Sequence, residues 1–291
     1  MNGRLSRGPG LRVRLRRIRQ AALFVTLLGV SIWGIDTWRA DNKTFAWSRP
    51  LDVLVVVVVD PGVDARDDIL RGFLHRFLTT TTALDINLAG VEQWFKSEHA
   101  RHAGASMSLS RPVAITAAGP FTSAEAPPPP PPDGLGLLDR WRATRDFLGY
   151  FEALAAREKY STAAYDSTVI VYFYDEEKTS AYARHHSVAS RRTRMGIVFS
   201  PIGQRHFSRC ASLVAHELCH TLGATDKYEG ERSIFPDGFA DPGRSPLYPQ
   251  EKAEVMALGI PIAPDFEKSA TTLRDCVVGR KTAEELGWVE E

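Results

Sequence analysis

Residues 51–60 read Leu-Asp-Val-Leu-Val-Val-Val-Val-Val-Asp. This β-branched, almost unbroken apolar run predicts a strand covered on both faces. The pattern then changes period. From Asp64 to Thr79 the apolar positions Ile69, Phe73, Leu74, Phe77 and Leu78 fall on one broad helical face. Two weaker strands are expected at Ala83–Leu88 and Pro112–Thr116, and a second helix from about Leu138 to Lys159. Thr168–Tyr174 and Arg194–Ser200 are further strands by the same criteria. A helix opening at the capping-type Ser208 should run without Gly or Pro to about Leu222. A short closing helix at Lys281–Leu286 has Trp288 packed behind it. Strands alternating with helices imply an α/β (α+β) layer built on a mixed, twisted sheet.

The N-terminal pattern belongs to a different solvent. Residues 1–20 hold seven arginines and no acid, and Ala21–Trp38 is apolar up to Asp36. As a helix those eighteen residues would span about 27 Å, workable for a hydrocarbon core of ~30 Å with Trp33 and Trp38 at the interface. No small-x-small cleavage site follows, so the segment reads as an uncleaved signal anchor rather than a cleaved signal peptide. The basic tail then stays cytoplasmic, and residues 41–291 form an outward domain, periplasmic or extracellular.

Composition refines this division. The chain has 36 basic and 35 acidic residues, but residues 37–291 carry 29 against 34. That part is mildly acidic and shows no basic stripe for nucleic acid. Pro127–Pro132 is a run of six prolines, an extended polyproline segment within an insert near 120–136. Pro, Gly and Asp recur from Tyr228 to Pro249, which reads as a long loop. Its Asp237 and Asp241 match no EF-hand spacing.

The candidate chemistry lies at the end of the Ser208–Leu222 helix, in His216-Glu217-Leu218-Cys219-His220-Thr221-Leu222-Gly223-Ala224-Thr225-Asp226. Residues four apart share a helical face, so His216 and His220 can aim ring nitrogens at one metal ion. Glu217 projects beside that face, where it could take a proton from water on the metal. Gly223 suits a left-handed helix stop that turns the chain back, which brings Asp226 in as a third ligand. Three protein ligands leave a fourth position open, as a catalytic Zn2+ needs. Two histidines and a carboxylate also describe the non-haem iron triad, but such an oxygenase has no use for Glu217 as a base.

With His216, Glu217, His220, Gly223 and Asp226 in register, the chain resembles the metzincin clan of zinc metallopeptidases in its snapalysin-like HExxHxxGxxD form. The resemblance implies a zincin domain with an active-site helix. It also implies a methionine turn beneath the metal, for which Met256 in Glu254-Val255-Met256-Ala257 is the match. The strand before the active-site helix would form the cleft rim, where a peptide can add as a further strand, and an ordinary edge strand fits these residues equally well. Many clan members have a tyrosine two positions after the methionine. Leu258 stands there in this chain, with Tyr228 and Tyr248 as possible substitutes.

Three cysteines are few for an exported chain. Cys210 and Cys219 lie about 13.5 Å apart along one helix, so at most one bond, to Cys276, could form. His99, His102, His185 and His186 lie in polar stretches and read as exposed loop residues, and His206 as a neighbour of the helix cap.

The expectation is a membrane-anchored, zinc-dependent metallopeptidase acting on peptide or protein substrates through a Glu217-activated water on the zinc. The alternatives are a zinc-containing peptide-binding module without catalysis, and an amidase acting on cell-wall peptides. No oligomeric state follows from the residues.

Overall fold

The structure is a computed structural model, and it describes residues 45–63, 68–84, 86–103, 109–122, 136–175 and 187–289. The expected basic tail, the membrane segment, the polyproline run, His185 and His186 lie outside these residues. Among the described residues no helix is long and apolar enough to cross a membrane. Thr44–Glu291 form one unit.

Strand β1 (Leu51–Val59) is the spine of that unit. It pairs in parallel with β2 (Val113–Thr122) on one side and β3 (Ser167–Tyr174) on the other. Beyond β3 lie β4 (Val188–Ser190) and β5 (Met195–Pro201), giving the order β2-β1-β3-β5-β4. The β3–β5 pair is parallel, and β4 runs antiparallel to β5. The sheet is therefore mixed, with the antiparallel strand at one edge.

The valine run is continuous because its alternate side chains enter different cores. Val53, Val55, Val57 and Val59 join one cluster, and Leu54, Val56 and Val58 join the other. Helices α1 (Asp68–Thr79), α2 (Leu88–His102) and α4 (Gln204–Leu222) contribute to the first cluster. There Phe73 stacks on Phe207 with centroids 4.1 Å apart. Helix α3 (Leu137–Arg157) closes the other face through Phe147, Phe151 and Leu154. Covered on both faces, such a strand has no solvent side on which to place polar residues.

Beyond α4 the chain uses short elements: β6 (Tyr228–Glu229), β7 (Arg232–Ser233), β8 (Ala253–Glu254), β9 (Gly259–Ala263), β10 (Phe266–Ser269), β11 (Cys276–Val277) and α5 (Arg280–Glu285). They form three two-stranded pairs. The closing helix was expected, and Trp288 behind it is 1 % exposed. Trp288 packs edge-on against Trp47 and Phe95, while Trp47 Nε1 donates to Leu286 O at 2.6 Å. The end of this unit is thereby fastened to its beginning.

Several expectations are corrected. Ala83–Leu88 is not a strand: Leu88 opens α2, and the Asn87 side chain caps it by accepting from Gly90 N at 2.8 Å. His99 and His102 are consequently helical rather than in a loop, and His99 is buried. Helix α4 begins at Gln204 behind Gly203 (φ 153°), not at Ser208. The strand before α4 is not the sheet edge, since β4 lies outside it. All three cysteines are free and buried, so the possible bond to Cys276 is not formed.

Candidate metal centre

Helix α4 has its apolar face, including Phe207, Val214, Leu218 and Leu222, against the sheet. One turn of helix separates His216 from His220, and the ring centroids lie 4.6 Å apart. The helix then stops at Gly223, which has φ 112°. Its N–H donates back to Cys219 O and His220 O, as expected of a left-handed terminus. A Cβ here would also lie 2.7 Å from Arg191 Nε, the movable end of a flexible side chain, so it is the positive φ that favours glycine.

The turn brings Asp226 against both imidazoles. His220 Nε2 and Asp226 Oδ1 are 3.1 Å apart, His216 Nε2 and Asp226 Oδ1 3.5 Å, and the two Nε2 atoms 3.1 Å. A tetrahedral zinc with bonds of about 2.0–2.1 Å places its ligand atoms ~3.3–3.4 Å apart. The triangle matches that size.

The far side of each ring sets its orientation. His216 Nδ1 lies 2.8 Å from Val255 O, and His220 Nδ1 lies 2.8 Å from Ala224 O. A carbonyl only accepts, so each Nδ1 carries a proton and each Nε2 is the atom turned towards Asp226. Two imidazole nitrogens and a carboxylate oxygen thus converge on one point. Either a proton on His220 Nε2 or a cation satisfies that arrangement, and His216, His220 and Asp226 together fit a metal ion.

Burial and neighbours set the charges. His216 falls to about 4, first through burial and then through the charge of His220, which keeps it neutral. His220 is also penalised by burial, but the Asp226 hydrogen bond and the field of Glu217 raise it overall. For Asp226 the burial penalty is outweighed by the His220 hydrogen bond and nearby positive charge, so its carboxyl is held down. Glu217 is 2 % exposed, and burial pushes it up to about 8. Its Oε2 has no hydrogen-bond partner, and Oε1 lies 4.0 Å from His216 Nε2. A buried carboxyl oxygen left unpaired beside the three converging donors suits a base awaiting its substrate.

Met256 is fully buried in the Val255–Ala257 turn, whose first carbonyl meets His216 Nδ1. The buried Glu254 ties this turn together by accepting from Met256 N at 2.6 Å and Gly279 N at 3.0 Å. Burial raises its carboxyl to about 7. Lys227, next to Asp226, is also buried and pairs with Glu285 of α5 at 2.7 Å. Glu285 further accepts from the N–H and hydroxyl of Thr225, both at 2.9 Å. Sequence reasoning passed over Glu254, Lys227 and Glu285. Their positions beside Met256 and Asp226 were the only available signal, since the partners come from distant segments.

A cleft of about 600 Å³ opens beside the histidines, lined by Phe199, Leu213, His216, Glu217, Tyr228 and Leu258 among others. Tyr228 lies in the field of Asp226 and Glu217, and burial followed by those charges raises its phenol. Tyr248 is elsewhere, against Phe239. Leu258, where the clan pattern has tyrosine, adopts a left-handed φ of 56°. The sequence-selected residues His216, Glu217, His220, Gly223, Asp226 and Met256 therefore come together, as does Tyr228. Compared with protein-family models and with curated protein sequences, the chain matches none of them.

Proposed function

We propose that the chain is a metzincin-like zinc metallopeptidase. The observation that carries this reading is the three-donor cluster of His216, His220 and Asp226 with the unpaired, buried Glu217 beside it. The long helix against a mixed sheet, the glycine stop and the methionine-containing turn that meets His216 accord with the same family. The basic and apolar N-terminal stretches support an anchored protein whose domain faces outwards.

His216, His220 and Asp226 would hold the zinc, which when bound supplies Lewis-acid polarisation and makes water a stronger acid. Glu217 is the general base. Its raised affinity for protons lets it draw one from the attacking water and return it to the leaving amine. Val255 O and Ala224 O keep the two rings oriented while this occurs. Tyr228 offers a phenolic donor at the cleft wall for negative charge developing on the scissile carbonyl. Leu213 and Leu258 exclude water from one side of the cleft.

The deciding experiment exposes a mixed peptide library to the zinc-loaded chain and to Glu217→Ala at equal zinc occupancy. Cuts made by the parent and absent from the variant support the peptidase. Zinc held tightly with peptides bound and uncut favours the binding module, and cutting restricted to cell-wall peptides favours the amidase.

A further inference from the structure

The cleft beside the histidines contains one strong cation. Arg209 lies seven residues before His216 on α4, two helical turns away and on the same face, and it lines that cleft with Leu213 between them. It is half-buried. Its guanidinium makes no ion pair or hydrogen bond among the described residues, whereas Arg49, Arg101, Arg111 and Arg244 each hold a carboxylate.

The other ionisable groups facing the cleft are His216, Glu217, Tyr228, Glu231 and Glu267. His216 and Glu217 belong to the metal centre, and Tyr228 is engaged by Asp226. Glu267 already accepts from Ser233 N at 2.9 Å and Ser233 Oγ at 2.8 Å. Glu231 is exposed at the tip of the β6–β7 hairpin, where solvent screens it. Arg209 is therefore the cation at the cleft wall, with five N–H donors shaped for a carboxylate and none of them spent on a described residue.

We propose that Arg209 is a specificity-determining residue that selects substrates with an acidic side chain next to the scissile bond. This rests on the peptidase reading of the metal centre. The two turns between Arg209 and His216 correspond to about 10 Å. An arginine and an aspartate or glutamate side chain, extended towards each other, close that distance between them. Leu213 and Leu258 form apolar walls along the way, where a charge-assisted pair is less screened than in open water.

The test uses the full zinc-loaded chain and three matched quenched peptides carrying Glu, Gln or Lys beside the cleaved bond. They are compared in the parent, Arg209→Ala and Arg209→Glu. Binding of the same peptides to Glu217→Ala, with and without Arg209→Ala, is followed by fluorescence anisotropy. The parent should favour the Glu peptide over Gln by about 10- to 100-fold in kcat/KM. Arg209→Ala should abolish the preference, and Arg209→Glu should transfer it to Lys. Cleavage with equal rates on Glu and Gln, a preference for Lys through Glu231 or Glu267, or a Glu preference surviving in Arg209→Ala would overturn the role of Arg209 and leave the peptidase standing. Arg209-dependent binding of the Glu peptide without cleavage would overturn the peptidase and retain the acidic selectivity. Neither binding nor cleavage would overturn both.

Discussion

His216 Nδ1 and Val255 O face each other at 2.8 Å, so the turn that buries Met256 also orients the ring of a proposed metal ligand thirty-nine residues away. Met256→Ala should remove the filling of that turn and let Val255 O move. The expected results are a loss of about 2–5 kcal/mol in stability and a 10- to 100-fold (roughly) weaker zinc affinity. Met256→Leu conserves volume and should cost less than about 1.5 kcal/mol. Zinc competition against a chelating dye, beside urea melts, separates the two effects.

Glu217→Ala removes the base without touching a ligand. Zinc affinity should stay within a few-fold of the parent's, while kcat/KM falls by about 10²–10⁴. A fall in activity matched by loss of zinc would show Glu217 to be supporting the site rather than moving protons.

Lys227 and Glu285 form an ion pair with side chains 5 % and 18 % exposed. Removing one partner leaves the other charge buried, so Lys227→Met should cost about 3 kcal/mol or more. The double change Lys227→Met with Glu285→Leu should recover much of the stability. It should not recover full zinc affinity, because Thr225 also loses its bonds to Glu285 and Asp226 is its neighbour. Urea denaturation and zinc titration of the three variants give the comparison.

The contribution of Glu254 to the stability of the zinc-free protein should fall as pH rises between about 4.5 and 7. Glu254, raised by burial from 4.5 to about 7, binds its proton more tightly when folded than when unfolded. Its contribution is complete below the unfolded value and is lost as pH passes through the folded one, to a limit of about 3 kcal/mol. Glu217 acts in the same direction, so Glu254→Gln serves as the reference. The stability advantage of the parent over this variant should shrink between pH 5 and pH 8, read from urea midpoints. An advantage that grows with pH would reverse the assignment.

Gly223→Ala forces a side chain into φ 112° and towards Arg191. A cost of about 1–2 kcal/mol is expected, together with weaker zinc binding, since this turn delivers Asp226. Thermal melts with and without zinc should show a larger loss in the zinc-loaded form.

Local information was enough for the spine of the fold and for the centre of the site. The valines of β1 announced a strand enclosed on both faces because both cores draw on it. The two histidines were legible because helical spacing alone puts them on one face. Helix α2 was missed for a non-local reason. Its buried Glu98 is satisfied by Val278 N, 180 residues away, so a core position carried a charge and hid the helical period. The edge strand Val188–Ser190 has three residues, too few to show any period. Glu254, Lys227 and Glu285 have meaning only once the C-terminal elements fold back over the metal loop.

The bonds from Thr225 to Glu285 join residues sixty apart in the chain. As the protein is synthesised, His216, His220 and Asp226 emerge well before the helix that steadies the loop of Asp226. A nascent chain, or one broken off before α5, would display both histidines and the base while lacking the clasp on their third partner. The steadying of the Asp226 loop therefore waits on α5, which emerges only after all three donors have been made.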